Sequence, residues 1–334
     1  MDKKAEIDKI RDSGGEANIG TEADGAVVET LSLNDKKLII IKERAIYQLQ
    51  MADDIDPDRT NINLPRMIQK LYIEQGTESE LVCRTFLTAK RLLKEGCIND
   101  DVDVSKILEL SLELLHELIA LQTEIDNYQK KEKEVSEDYY NQQGSFKIPS
   151  IGDVTTRCKT IFQKADHIEQ FMIETITVFY PNQKITKQAH FPRFHEIANK
   201  LYGPNDPLVL FVKGTLHFML INRQLRNGLD HRLETVTVHD FQIQPDSSIT
   251  SPSIQLNHKD VKLQRQSLSL FLPNIFQDFV MIYENMMAYL TDKHIKPGPL
   301  NFRVNVVPED KRRNKSIQFS LWSPIGKDGF FDQS

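Results

Sequence analysis

Hydrophobic residues recur every three or four positions along much of the chain, a spacing that puts them on one face of a helix. Each such segment predicts a helix that packs against a core. The predicted helices cover residues 35–51, 65–75, 79–94, 105–134, 154–180, 206–231 and 267–294, with a short helix after Pro192.

Apolar and polar residues alternate in other segments, as they do in half-buried strands. Predicted strands cover residues 27–33, 235–238, 241–243 and 249–256, and residues 302–306 and 317–321 predict a hairpin. The expected fold class is therefore mainly α (α+β), a helical bundle with a small antiparallel β addition and an extra N-terminal helical region.

Three regions follow from the same pattern. Residues 1–26 are polar and lack periodicity, which predicts a flexible tail. Residues 27–145 are an acidic region that is predicted to be helical, and residues 146–334 form a second helical domain with β-hairpins. The boundary is predicted within 142–150, where Gly144 and Pro149 interrupt the pattern.

The segment from Asp206 to Arg232 predicts a central, buried helix whose first turns are almost wholly apolar. Asp206 and Pro207 are an N-cap residue and a proline at the first helical position, and apolar residues follow on most sides. The last turns are polar, so titratable groups are carried to the end of a buried helix, a frequent location for a functional site. These polar residues are Arg223, Arg226, Asn227, Asp230 and His231.

The sequence Arg226-Asn227-Gly228-Leu229-Asp230-His231 resembles the Arg-polar-x3-His motif of the HEPN family. HEPN domains are small all-α domains, many of which are metal-independent endoribonucleases of toxin and antiviral systems. The resemblance implies a HEPN-like helical bundle over residues 146–334, RNA as the substrate and no cofactor. It also implies a homodimer or a larger even oligomer in which two motifs form one composite cleft.

Cleavage of RNA without a metal needs a proton acceptor, a cation at the phosphate and a proton donor. The ordinary pKa of imidazole lies nearest to neutrality, so His231 is the candidate base or acid. Arg226 offers a planar set of donors to phosphate oxygens. Asn227 orients the histidine or binds phosphate, Asp230 favours the charged imidazole, and Arg223 supports the site. The alternative is a non-catalytic HEPN-like module that binds a protein partner.

The net charge of −6 argues against a protein covered by nucleic acid. The charge is uneven, however: residues 1–150 contain 20 Lys and Arg against 30 Asp and Glu, and the remainder contains 22 against 18. The acidic half is a candidate surface for a protein regulator, and the basic half for a polyanion. A candidate RNA-binding site lies at the predicted hairpin tip, with ordinary solvated turn residues as the alternative. Its cations are Lys311, Arg312, Arg313 and Lys315.

Other features predict no further chemistry. Asp54, Asp56 and Asp58 imitate a calcium loop but lack its glycine and final glutamate, so no metal site is predicted. The three cysteines are scattered, as expected for buried thiols in a reducing compartment. No apolar run is long enough for a membrane span, and a cytoplasmic location without membrane contact is expected.

Overall fold

The structure, a computed structural model, describes residues 3–13, 18–33, 37–141, 147–185 and 190–324. About 51% of the chain is helical and 18% is strand. The protein is thus a mixed α/β structure, and the expected mainly α (α+β), HEPN-like bundle class is wrong. The helices are α1 (Lys3–Asp12), α2 (Ala52–Ile55), α3 (Glu80–Val82), a π-helical segment (Cys83–Leu87), α4 (Thr88–Leu92), α5 (Val104–Asn141), α6 (Val154–Phe179), α7 (His190–Tyr202), α8 (Pro207–Asp230) and α9 (Leu268–Lys293).

The N-terminal region contains an antiparallel sheet of four strands in the order β1-β2-β3-β4. The strands are β1 (Val27–Leu33), β2 (Lys37–Lys42), β3 (Ile46–Met51) and β4 (Met67–Ile73). The helices predicted over 35–51 and 65–75 are therefore wrong. The run Ile39-Ile40-Ile41 is β-branched and favours a strand, and a turn at Glu43 and Arg44 separates two strands where a single helix was expected.

Much of the predicted tail packs against this sheet. The Arg11 side chain of α1 is buried and pairs with Asp53 and Asp56, each at 2.8 Å. Asp56 also accepts hydrogen bonds from the backbone N–H groups of Thr60 and Asn61. These bonds explain why the acidic loop after β3 is ordered around an arginine.

The four long helices α5, α6, α8 and α9 and the short helix α7 were predicted correctly, and together they contain most of the buried side chains. Helix α5 packs against α6 and α9, α6 packs against α8, and α8 packs against α7 and α9. One cluster of buried apolar residues includes members of both the N-terminal sheet and these helices. Among the described residues, no helix has the length and apolar content required to cross a bilayer.

Among the described residues, seven short strands follow α8; six of them agree with the alternating sequence pattern, whereas β9 was not predicted. The strands are β5 (Val236–His239), β6 (Gln242–Ile243), β7 (Ile249–Thr250), β8 (Ser253–Asn257), β9 (Lys262–Ser267), β10 (Arg303–Val306) and β11 (Phe319–Trp322). Strands β5, β8 and β9 form one sheet, whereas β6 pairs with β7 and β10 with β11. The β10–β11 hairpin contacts α4 and α9, so the C-terminal part of the described chain lies against the N-terminal region.

Candidate active site

The C-terminal end of α8 carries the HEPN-like motif. The helix ends because Arg232 adopts a left-handed conformation with φ of 53°, and the Leu233 N–H donates to the Gly228 carbonyl at 2.9 Å. His231 is the C-cap residue, and its N–H donates to the Asn227 carbonyl at 3.0 Å. Its imidazole is exposed and has no hydrogen-bond or ion-pair partner among the described residues. A histidine at this position is available to a molecule that approaches from solvent.

Gly228 makes the close approach of α8 to the following sheet possible. A Cβ atom at this position would meet Val236 Cγ2 at 2.2 Å and Val236 Cβ at 2.9 Å. Both atoms belong to a stiff, β-branched side chain of β5. The glycine of the motif is thus explained by helix-to-strand packing, one turn from the exposed imidazole.

Arg226 lies between two carboxylates. Its Nε is 3.1 Å from Asp230 Oδ2 and 3.8 Å from Asp166 Oδ2, and its Nη1 donates to Asn227 Oδ1 at 3.1 Å. The buried Nε–H makes no aligned hydrogen bond despite these neighbours, and 33% of the side chain is exposed. Asn227 Oδ1 therefore positions the arginine, and the described residues show no side-chain bond between Asn227 and His231.

Asp230 pairs with side chains other than His231. It accepts a hydrogen bond from Gln163 Nε2 at 2.9 Å and lies 3.3 Å from Lys159 Nζ. Burial alone would raise the pKa of Asp230, but the bonds from Gln163 and Lys159 and the charge of Arg226 outweigh it and lower the pKa. The carboxylate is therefore ionised at neutral pH and already compensated, contrary to the expected role beside the imidazole.

Arg223 lies one turn deeper and pairs with a buried carboxylate. Its Nη2 donates to Glu169 Oε1 at 2.9 Å, and the same oxygen is 3.3 Å from His190 Nδ1. Glu169 is only 2% exposed. Since an unpaired charge at this depth is costly, the Arg223–Glu169 pair fixes α8 against α6.

We refer to the ionic groups at this site as the α8-end cluster. It contains three cations and three carboxylates, so its formal charge is balanced. The members are Lys159, Arg223, Arg226, Asp166, Glu169 and Asp230.

The α6 members were not identified from the sequence. Lys159, Gln163 and Asp166 follow one another at spacings of four and three residues, which places them on one face of α6. This polar stripe on an otherwise amphipathic helix was the signal that could have revealed them. Among the described residues, no group of three or more His, Cys, Asp or Glu side chains has the arrangement of a metal site.

The tip of the β10–β11 hairpin differs from a free basic loop. Arg312 Nε donates to the Val307 carbonyl at 2.8 Å, so this arginine fixes the conformation of the tip itself. Asn314 Nδ2 donates to Cys83 Sγ at 3.0 Å, which anchors the tip to the π-helical segment. Arg313 and Lys315 are exposed, and Lys311 is partly buried.

No family model, curated protein or solved structure was found to match this chain. The assignment of a function therefore depends on the residues and geometry described above.

Proposed function

We propose that the end of α8 is a metal-independent endoribonuclease site that is completed by a second copy of the chain. The observation that carries the proposal is the exposed imidazole of His231, which has no partner in the described part of the chain, five residues after a partly exposed Arg226. An acid–base group and a fixed cation at one helix end are two of the groups that cleavage of a phosphodiester requires.

In the proposed reaction, His231 takes the proton of a ribose 2′-hydroxyl, and the 2′-oxygen attacks the adjacent phosphorus. Arg226 stabilises the negative charge on the non-bridging oxygens. The bond to the 5′-oxygen breaks, and the partner subunit's His231 donates the proton that this leaving group needs. The products are a 2′,3′-cyclic phosphate and a 5′-hydroxyl.

Arg226 can turn towards a phosphate at moderate cost. Asp230 keeps two other partners, Lys159 and Gln163, when the arginine moves away. One third of the Arg226 side chain is exposed, so it can be reached by an acceptor from the substrate.

The test is cleavage of labelled single-stranded RNA in the presence of a chelator. His231→Ala and Arg226→Ala are expected to lower the rate by about 10²-fold or more, the usual contribution of an acid–base group. His217→Ala is the matched control, because His217 is another exposed histidine of α8, and it should cleave normally. Full cleavage by His231→Ala protein, purified free of host nucleases, refutes the proposal.

Two further measurements address the mechanism and the assembly. RNA with a single 2′-deoxyribose at the cleaved position should resist, because the nucleophile is missing. A mixture of unmodified and His231→Ala chains should lose more activity than the unmodified fraction alone accounts for, since each mixed dimer lacks one of the two histidines that the reaction uses. A monomeric protein of undiminished activity contradicts the composite site.

The biological setting completes this proposal. RNA cleavage in a cytoplasmic toxin or antiviral defence system is the setting that the HEPN resemblance implies, with a protein regulator bound to the acidic N-terminal half. The exposed apolar side chains of Val27 and Val28 on the edge strand β1 offer a contact for such a regulator.

A second candidate function is a non-catalytic module that binds a protein partner. The balanced charge of the α8-end cluster favours it, because a compensated ionic network is also what a structural helix junction requires. The His231→Ala protein distinguishes the two functions. If the chain is a ribonuclease, this substitution abolishes RNA cleavage; if it is a binding module, the unmodified chain does not cleave RNA either.

A further inference from the structure

A cavity of about 340 Å³ lies between β1, α4 and the tip of the β10–β11 hairpin. We call it the basic chamber. Among the described residues that line it, four are cations and only Glu29 is acidic. The cations are Lys90, Arg91, Lys94 and Arg313.

The fold builds this excess of positive charge from distant parts of the sequence. Arg313 reaches the basic chamber because Asn314 anchors the hairpin tip to Cys83 and Thr77. The four cations and Glu29 give the described lining residues a formal charge of +3, and Lys90 is paired with Glu29 across the cavity. Asn314 also lines the wall and adds an uncharged amide to the polar groups there.

A second cavity of about 560 Å³ shares Lys90 and Lys94 with the first. We call it the apolar chamber, because aliphatic side chains form much of its wall, with serine, asparagine and acidic residues at intervals. The aliphatic residues are Leu31, Leu33, Leu93, Ile98, Val102, Val104 and Leu108. Both volumes lie within the range of about 300–1,000 Å³ that is typical of small-molecule sites.

We propose that the two chambers together bind a phosphate monoester whose ester group is apolar. Guanidinium groups bind phosphate oxygens in a bidentate manner, and Arg91 and Arg313 supply two of them in the basic chamber. The ester group occupies the apolar chamber, and Lys90 and Lys94 lie where the two parts of the ligand meet. This site is independent of the proposed ribonuclease activity.

The experiment is calorimetric titration of the full chain with four probes: inorganic phosphate, n-octyl phosphate, adenosine 5′-monophosphate and a single-stranded RNA oligonucleotide. The first two differ only by the alkyl group, and the third replaces it by a nucleoside. n-Octyl phosphate is expected to bind more tightly than both inorganic phosphate and the nucleotide, and a preference for the nucleotide refutes the apolar ester group.

Three variants test the assignment of residues. Arg313→Gln and Arg91→Gln should each weaken ester binding by about tenfold or more, the scale of a hydrogen bond to a charged group. Glu29→Gln should strengthen it severalfold, because it removes the acidic group and releases Lys90. An improved affinity cannot result from unfolding. Lys262→Gln removes an exposed cation of β9 and is the matched control for net charge.

His231→Ala protein should bind the esters like the unmodified chain, so failure of the ribonuclease proposal leaves this one testable. Equal affinity for inorganic phosphate and both esters refutes the role of the apolar chamber, and with it the proposal. Absence of binding, or binding that ignores all three variants, also refutes it. If only the RNA oligonucleotide binds, and Arg313→Gln abolishes this, the basic chamber is part of an RNA surface and no small-ligand site exists.

Discussion

The end of α8 and the basic chamber both contain several cations, but they differ in the number of carboxylates that face these cations. In the α8-end cluster three cations face three carboxylates. In the basic chamber four cations face one carboxylate among the described lining residues. The first region has an exposed acid–base group beside equal numbers of cations and carboxylates, and the second has an excess of cations without such a group.

This difference shows why a motif and an electrostatic site need different evidence. Arg226 and His231 are close in sequence, and a motif search finds them, but it does not reveal that Asp166 and Lys159 surround them. The basic chamber contains Arg91 and Arg313, which no motif connects, because only the folded hairpin brings them together. Charge balance depends on which side chains the fold brings together, so the sequence of the motif does not reveal it.

The largest expected effect on stability concerns the deepest pair of the α8-end cluster. Arg223→Ala leaves Glu169 buried with His190 as its remaining neighbour, and breaking a buried pair costs about 3–5 kcal/mol. Urea unfolding should show this loss. Arg313→Ala removes a cation from the open basic chamber and should change stability by less than about 0.5 kcal/mol. Equal effects would show that the two regions do not differ in the way described.

The next effect compares two glycines of α8. Gly228→Ala places a methyl group against Val236, and overpacking of this kind costs about 1–3 kcal/mol. Gly214→Ala is the control, because a Cβ there meets nothing within 4 Å. It should stabilise the helix by about 0.5–1 kcal/mol. Thermal unfolding measures both. If Gly228→Ala also stabilises the protein, the tight junction with β5 is not real.

Sequence reasoning predicted the long helices and the C-terminal hairpins because their periodicity is strong. It failed in the N-terminal sheet, where Leu38, Ile41, Ala45 and Leu49 are spaced as in a helix although the intervening residues are β-branched or polar. The local pattern does not decide between a helix and a strand here, and pairing with neighbouring strands selects the strand.

The candidate site was predictable to a similar extent. The position of His231 at a helix end follows from the change of composition after Ile221, and the structure agrees with it. The α6 partners of Arg223 and Asp230 did not follow, since Glu169 and Gln163 lie 54 and 67 residues away in sequence. The role of Arg312 within the hairpin tip was equally hidden, because a backbone carbonyl leaves no signal in the sequence.

A smaller effect on stability is expected when Asp230, the carboxylate nearest to Arg226, loses its charge. Asp230→Asn should increase the affinity of His231→Ala protein for uncleaved RNA severalfold, because Arg226 loses its nearest carboxylate. It should also cost about 1–2 kcal/mol, since Asp230 accepts a charge-assisted bond and lies beside two cations. Filter binding and urea unfolding measure the two quantities.

The pH dependence of the same variant is a further check. Because the pKa of Asp230 is lowered in the folded protein, its contribution is complete above the ordinary aspartate pKa of about 3.9 and is lost as the pH falls through the lowered value. Asp230→Asn should therefore flatten the acid limb of the stability curve. Unchanged RNA affinity in this variant favours the non-catalytic, structural function of the cluster.

The smallest effect concerns the support of the apolar chamber. The His294 side chain is buried between Phe179 and Tyr180, and burial lowers its pKa, an effect only partly offset by its bond to the Leu290 carbonyl. Its own carbonyl accepts from the N–H of Asn99, a residue of the chamber wall.

Because the folded-state pKa of His294 is lowered, the unfolded chain takes up the proton first. Stability from this group is complete above the ordinary histidine pKa of about 6.5 and is lost as the pH falls towards the lowered value. His294→Gln should therefore reduce the loss of stability between pH 7.5 and 5.5, roughly the range around that ordinary value. The pKa of His239 is also lowered by burial and by Arg265, and its contribution to the pH dependence of stability should remain in this variant. Amide exchange should locate the loosening at Asn99 and leave the N–H of His231 unaffected. Parallel stability curves for the two proteins would show that His294 does not contribute to the pH dependence. Equal loosening at both amides would show that the chamber wall and the end of α8 respond to acid as one unit.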